Sequence, residues 1–269
     1  MAANKPMAYT REEVTALVDR AVERNQVISL VTAYLSDYGE MVLNTISERL
    51  LEIFDRADLL DVLYTSLKEL VINAGKANLK RAIIRDSGLD PGKPGDYEEI
   101  MRRFKANLPE RQISKWKRRF KEYDLQVTVS FYYEANKALK IKIKNNFTLL
   151  PQEEERIREK FKSAVQYSDL LEFYMHHGDE TEGAGLGLTL VCILLNQSGI
   201  DRHLFSIYSS DLYQETIARM EIPLSEDYVP KRVRFEREAA REGKSIDEYR
   251  SIVQERGGRL LGGDAGEGL

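Results

Sequence analysis

Three observations predict an α+β fold, a two-layer sandwich in which helices cover a mixed, mostly antiparallel sheet. Apolar residues recur at helical spacing through the first third of the chain. A period-two hairpin follows at about residues 125–143, and a second pair of strand-like runs comes after further helices. Grouped helices with hairpins, rather than regular alternation of strand and helix, argue against a doubly wound parallel sheet.

Thr10-Arg-Glu-Glu13 is a capping box, and Val14, Leu17, Val18 and Val22 continue at helical spacing, which predicts a helix from residue 11 into the thirties. A second helix is expected over 39–55. Its apolar stripe, including Val42, Ile46 and Leu50, would pair with its neighbour or with a second copy, making a homodimer through the N-terminal helices. A third, capped by Asp58, runs through Leu63, Leu67 and Leu70 until Asp86-Ser87-Gly88 stops it. Residues 88–96 hold three glycines and two prolines and read as a loop, opening a charged helical insertion over about 86–124.

Leu125, Val127, Val129, Phe131 and Tyr133 then alternate with mostly polar residues, as do Leu139, Ile141 and Ile143 after a short Ala-Asn-Lys connection. Asn145 continues the apolar parity of the second strand, so its side chain is aimed at the covered face, where a polar group requires a partner. Pro151 and Glu153 to Glu155 suit a helix start. Residues 168–182, with Asp169, His176 and His177, read as less regular, ahead of a glycine-rich turn and a leucine-rich helix. Strands are expected at 203–209 and 216–222. Ser245-Ile-Asp-Glu248 is another capping box, with Gly257-Gly258 as the stop of its helix. The expected division is an N-terminal helical segment over 1–57, a central domain over 58–223 and a helical extension with a flexible tail over 224–269.

Composition narrows the function. With 42% hydrophobic residues in 269, the chain can bury a real core. Its longest apolar runs fall far below the roughly 20 residues that cross a bilayer. Residues 1–9 lack the apolar core of a secretory signal, so the expected compartment is the cytoplasm. The net charge of −4 gives no bulk attraction to nucleic acid or an anionic membrane. One local basic run, Lys115-Trp-Lys-Arg-Arg-Phe-Lys121, can be read as a nucleic-acid patch or as a solvated helix face with Trp116 and Phe120 turned inward; the second reading is favoured. Cys192, the single cysteine, lies in an apolar helical pattern that predicts a buried, inert thiol.

Two clusters carry chemistry. Glu69, Asn73, Lys76 and Lys80 fall along one stripe of the third helix. A carboxylate and an amide oxygen suit Mg²⁺ and a lysine suits phosphate, although such a stripe can equally be the wet face of an amphipathic helix. Gly183-Ala-Gly185-Leu-Gly187-Leu stands directly before an apolar helix, where backbone N–H groups and the positive helix end favour phosphate. No strand precedes these glycines, which separates them from the dinucleotide-binding fingerprint.

Glu69-Leu-Val-Ile-Asn73-Ala-Gly-Lys76 resembles the N box, and Gly183-Ala-Gly185-Leu-Gly187-Leu the G2 box, of the GHKL superfamily, which groups sensor histidine kinases with type II topoisomerase, mismatch-repair and heat-shock-chaperone ATPases. The lysine three residues after the asparagine is closest to the histidine-kinase version. The resemblance, over about residues 58–223, implies a Bergerat-type sandwich with ATP and Mg²⁺ as ligands. It places Mg²⁺ on Asn73 and Glu69, makes Glu69 the catalytic candidate, sets Lys76 on phosphate and gives Gly183, Gly185 and Gly187 to the ATP lid.

Two departures accompany the match. The family's Asp-x-Gly-x-Gly becomes Asn145-Asn-Phe147-Thr-Leu149, which leaves Asn145 in place of the adenine-binding aspartate and removes both glycines. The three histidines, His176, His177 and His203, all lie beyond the hairpin, so the N-terminal helices hold no phosphoacceptor. The implied function is therefore an ATP-binding ATPase or protein kinase domain in bacterial-type signalling, acting on a protein partner. The alternative is a pseudo-kinase serving as an interaction or ligand-sensing scaffold.

Overall fold

The computed structural model describes residues 8–134, 137–167, 169–177 and 186–255. The chain divides into two compact units, Met1–Leu224 and Ser225–Leu269. The first is an α+β sandwich built on β1 (Ile28–Thr32), β2 (Val127–Glu134), β3 (Ala138–Asn145), β4 (Phe205–Ser210) and β5 (Glu215–Pro223). The strands run in the order β1-β2-β3-β5-β4 and all four pairings are antiparallel, so this five-stranded sheet is antiparallel throughout rather than mixed.

The first departure from expectation lies in the N-terminal segment. α1 (Arg11–Glu23) has the full capping box on Thr10 but stops at Glu23. Asn25 takes φ 51°, its N–H reaches Val22 O, and the Gln26 N–H reaches Ala21 O, the paired bonds of a Schellman stop. Asparagine adopts this left-handed geometry more readily than most side-chain-bearing residues. The chain is thereby released into β1, an edge strand paired with β2, where a continuing helix was expected.

α2 (Asp37–Ile53) packs on α1, and Val14, Val18, Val42, Ile46 and Leu50 are all buried within the one chain. These residues of the two stripes are thus covered within the chain, while Leu17 of the α1 stripe is exposed.

α3 (Leu60–Ser87) spans about 42 Å at 1.5 Å per residue and ends on Gly88 at φ 64°. It is the spine of the unit, touching α2, β2 and β3. The insertion forms α4 (Pro94–Asn107), α5 (Glu110–Ile113) and α6 (Lys117–Glu122). Phe120 is buried among Leu79, Ala82 and Ile83 of α3, and Trp116 packs on the same cluster, so the aromatics of the basic run face inward as favoured.

The hairpin forms at the expected place. Leu139, Ile141, Ile143 and Asn145 share the covered face with Val127, Val129 and Phe131. α7 (Pro151–Ala164) begins at the proline. α8 (Leu170–His177) occupies part of the stretch expected to be irregular, and Asp169 Oδ1 accepts the Glu172 N–H at 2.8 Å to start it. α9 (Leu186–Gln197) follows, packed against α3 and α7.

The second unit contains α10 (Lys231–Arg241) and α11 (Ile246–Glu255), which bury Ala239, Tyr249 and Val253 beside Phe235. Ser245 and Glu248 close the expected capping box. Gly257 and Gly258 lie outside the described residues. Among the described residues, no helix is long and apolar enough to cross a membrane.

Candidate functional site

α3, α7 and α9 meet the covered face of the sheet around a cavity of about 230 Å³. Leu70, Ile143, Leu188 and Ala218 give it apolar walls, and Phe104 of the insertion borders it. Polar groups are concentrated at two places, a floor on β3 and β5 and a rim on α3 and α7.

Asn73 and Lys76 of α3 line this cavity, and Glu69 lies one turn before Asn73. Gly187, in the first turn of α9, faces these two residues. A Cβ added there would overlap the Glu69 carboxylate and stand 3.5 Å from Asn73 Nδ2. The fold therefore brings the metal-suited stripe and the last glycine of the glycine-rich turn together across a helix–helix contact in which the Glu69 carboxylate fills the space beside Gly187. Gly183 and Gly185 lie outside the described residues.

Asn145 is 5% exposed and lines the floor. Its Nδ2 donates to Ala74 O at 3.1 Å and to Asn78 Oδ1 at 2.8 Å. Asn78, fully buried, donates its own Nδ2 to Ala33 O at 2.8 Å. Thr216 stands directly across from Asn145 in the sheet and also lines the cavity. Its hydroxyl donates to Phe147 O at 2.7 Å and lies 3.2 Å from Ser209 Oγ.

Lys80 and Glu153 line the cavity as well, but they do so as an ion pair. Lys80 is 6% exposed and its Nζ donates to Glu153 Oε1 at 2.9 Å, while Arg81 Nη2 donates to Glu153 Oε2 at 2.6 Å and to Thr148 O at 2.8 Å. Burial alone would raise the Glu153 carboxyl. The Lys80 charge, the bond and charge of Arg81 and the Leu150 N–H outweigh it and hold the group at about 2. Three charges that water would otherwise solvate thus tie α7 to α3, and Lys80 is spent on the tie.

The residues standing where the family has glycines behave differently from one another. Phe147 turns into the core cluster of Leu79 and Phe120, with the Arg81 guanidinium 4.7 Å above its ring. Leu149 lines the cavity and narrows it.

Sequence reasoning missed Arg156 and Lys160, which stand at i,i+4 on α7 and line the cavity. Neither these two nor Lys76 forms an ion pair with a described residue. Their spacing was readable; that α7 turns this face to the cavity was not. Asn78 and Thr216 were also missed, since their roles depend on contacts far apart in the chain. Cys192 is half-buried rather than buried, and that burial pushes its thiol up to about 12. Among the described residues, no group of three or more His, Cys, Asp or Glu side chains is placed to hold a metal ion.

No family model matches the chain, and no solved structure matches it. A protein of Treponema pallidum (strain Nichols), described as an uncharacterized protein, is 31% identical over 219 residues, which make up 81% of this chain and 42% of that protein. The chain therefore spans less than half the length of that relative.

Proposed function

We propose that the first unit is a GHKL-type domain that binds ATP with Mg²⁺ in the cavity beside α3. The observation that carries this reading is convergence: Asn73, Lys76 and Asn145 line one cavity with apolar walls, and Gly187, from a third part of the sequence, packs against Asn73 and Glu69 beside it. At about 230 Å³ it lies just below the ~300–1,000 Å³ of small-molecule pockets, a size for a base and sugar with the phosphates outside. Lys76, Arg156 and Lys160, which form no ion pair among the described residues, suit a triphosphate at the rim. Asn73 with Glu69 would hold Mg²⁺, whose small, strongly hydrated ion is typically bound by one or two protein groups together with phosphate oxygens and water. The ion would supply charge neutralisation; this chain's residues orient the nucleotide and exclude water from the base.

Under this reading the protein is a cytoplasmic signalling component, an ATPase or a kinase acting on a protein partner. The scaffold alternative draws on Asn145, whose neutral amide replaces a carboxylate, and on the absence of histidine from residues 1–57.

Calorimetry of ATP with and without Mg²⁺ tests the reading. Micromolar, metal-dependent binding that is weakened at least tenfold in Asn73→Ala is expected. No binding at millimolar ATP would overturn it in favour of the scaffold.

A further inference from the structure

We infer that Asn78 is a positioning residue that fixes which way round the Asn145 amide sits, and so makes the cavity floor accept hydrogen bonds only. The inference rests on the nucleotide reading and adds to it a choice of base: a purine with an amino group at position 6 over one with a carbonyl there.

The reasoning follows the donors. Ala33 O is a backbone carbonyl and can only accept, so Asn78 must turn its Nδ2 toward it. That leaves Asn78 Oδ1 facing Asn145, and it too can only accept. Ala74 O makes the same demand from another side. Asn145 therefore meets two acceptors, and its Nδ2 is committed to both. Among the described residues no donor reaches Asn145 Oδ1, which is the group left for the cavity.

Thr216 repeats the pattern across the sheet. Its proton goes to Phe147 O, so the Ser209 contact is one in which Ser209 donates, and Thr216 offers the cavity an oxygen without a hydrogen. Two facing side chains, both with their donors turned away, welcome an N–H and oppose a carbonyl.

The same geometry explains why an aspartate would not simply improve the site. A carboxylate at 145 would place an oxygen against Ala74 O and Asn78 Oδ1, and Asn78 cannot turn over without leaving Ala33 O unmatched.

Calorimetry with ATP and inosine triphosphate, which carries a carbonyl in place of the adenine amino group, tests the choice of base. The native chain is expected to prefer ATP by about a hundredfold, since accepting the carbonyl requires Asn145 to turn over and abandon two bonds. Asn78→Leu removes one of those bonds and should lower the preference to about tenfold. Asn78→Asp still accepts from Asn145 but cannot donate to Ala33 O, so it should melt lower while keeping the preference. Equal preference in native, Asn78→Leu and Asn78→Asp chains would reduce Asn78 to a structural role and overturn the inference.

Thermal melting of Asn145→Asp without ligand supplies the independent arm. A fall of several degrees is expected from the enforced contact of acceptors. A variant that melts like the native chain would overturn the lock even if no nucleotide binds, whereas a lowered melting point with no ATP binding by the native chain would keep the lock and reject the nucleotide reading.

Discussion

Gly187 and Glu69 occupy neighbouring ground: the space a side chain at 187 would need is already taken by the Glu69 carboxylate, with Asn73 Nδ2 just beyond. The obstructing atom is the far end of a flexible side chain, so it can move. Gly187→Ala is expected to change stability by about 1 kcal/mol or less while pushing Glu69 aside. The measurable outcome is a melting temperature within a few degrees of native together with about tenfold weaker Mg²⁺-dependent ATP binding.

Glu153 answers two buried cations at once. Glu153→Gln leaves Lys80 and Arg81 buried with no carboxylate, and a loss of about 3–5 kcal/mol in urea unfolding is expected. A loss under 1 kcal/mol would mean that water reaches the cations.

The same group gives the unit an acid-sensitive step. The Glu153 carboxyl is held at about 2 in the folded chain, below its ordinary 4.5, so its contribution is present in full above 4.5 and lost as pH falls from there toward 2. Stability of the native chain should decline through that window. In Glu153→Gln the part of the decline due to this carboxyl should be absent, which a series of melts from pH 6 to pH 2.5 would reveal.

Phe147 stands where the resembled family has glycine, yet restoring glycine should not open the cavity, because this ring fills the core. Phe147→Gly is expected to cost about 3–5 kcal/mol through the void it leaves and the guanidinium contact it removes. Leu149→Ala removes a side chain from the cavity wall itself and should strengthen nucleotide binding at a smaller cost in stability.

Much of the fold could be read from the chain because its signals are local. The Thr10 and Ser245 capping boxes, Pro151 and the alternation through Val127–Phe131 and Leu139–Ile143 each announce their element within a few residues. β1 was hidden because nothing like glycine or proline ends α1. The stop is Asn25 in a left-handed turn, a weaker mark that Asp55 and Asp124 repeat at the ends of α2 and α6, with φ of 55° and 50°.

For the candidate site, helical spacing placed Asn73 and Lys76 on one stripe of α3, but Lys80 could not be separated from them. Helical geometry places it on the same stripe, and only the arrival of Glu153 from residues seventy-three positions away takes it out of use. The polarity of Asn145 was beyond reach for a similar reason. It is decided by Asn78 and, through it, by a carbonyl at Ala33, contacts that no local pattern encodes.

β1 also bears on how the protein comes to be made. From Asn25 to Leu35 the chain carries no charge, and Ser29 finds Ser130, its partner across the sheet, only 101 residues later. During synthesis, α1, α2 and α3 emerge from the ribosome well before β2 exists, so this uncharged strand must wait with its hydrogen-bonding edges open. A chain cut short before Val127 would retain the strand and lack its neighbour, turning a quiet edge of the native sheet into a point where nascent copies stick together.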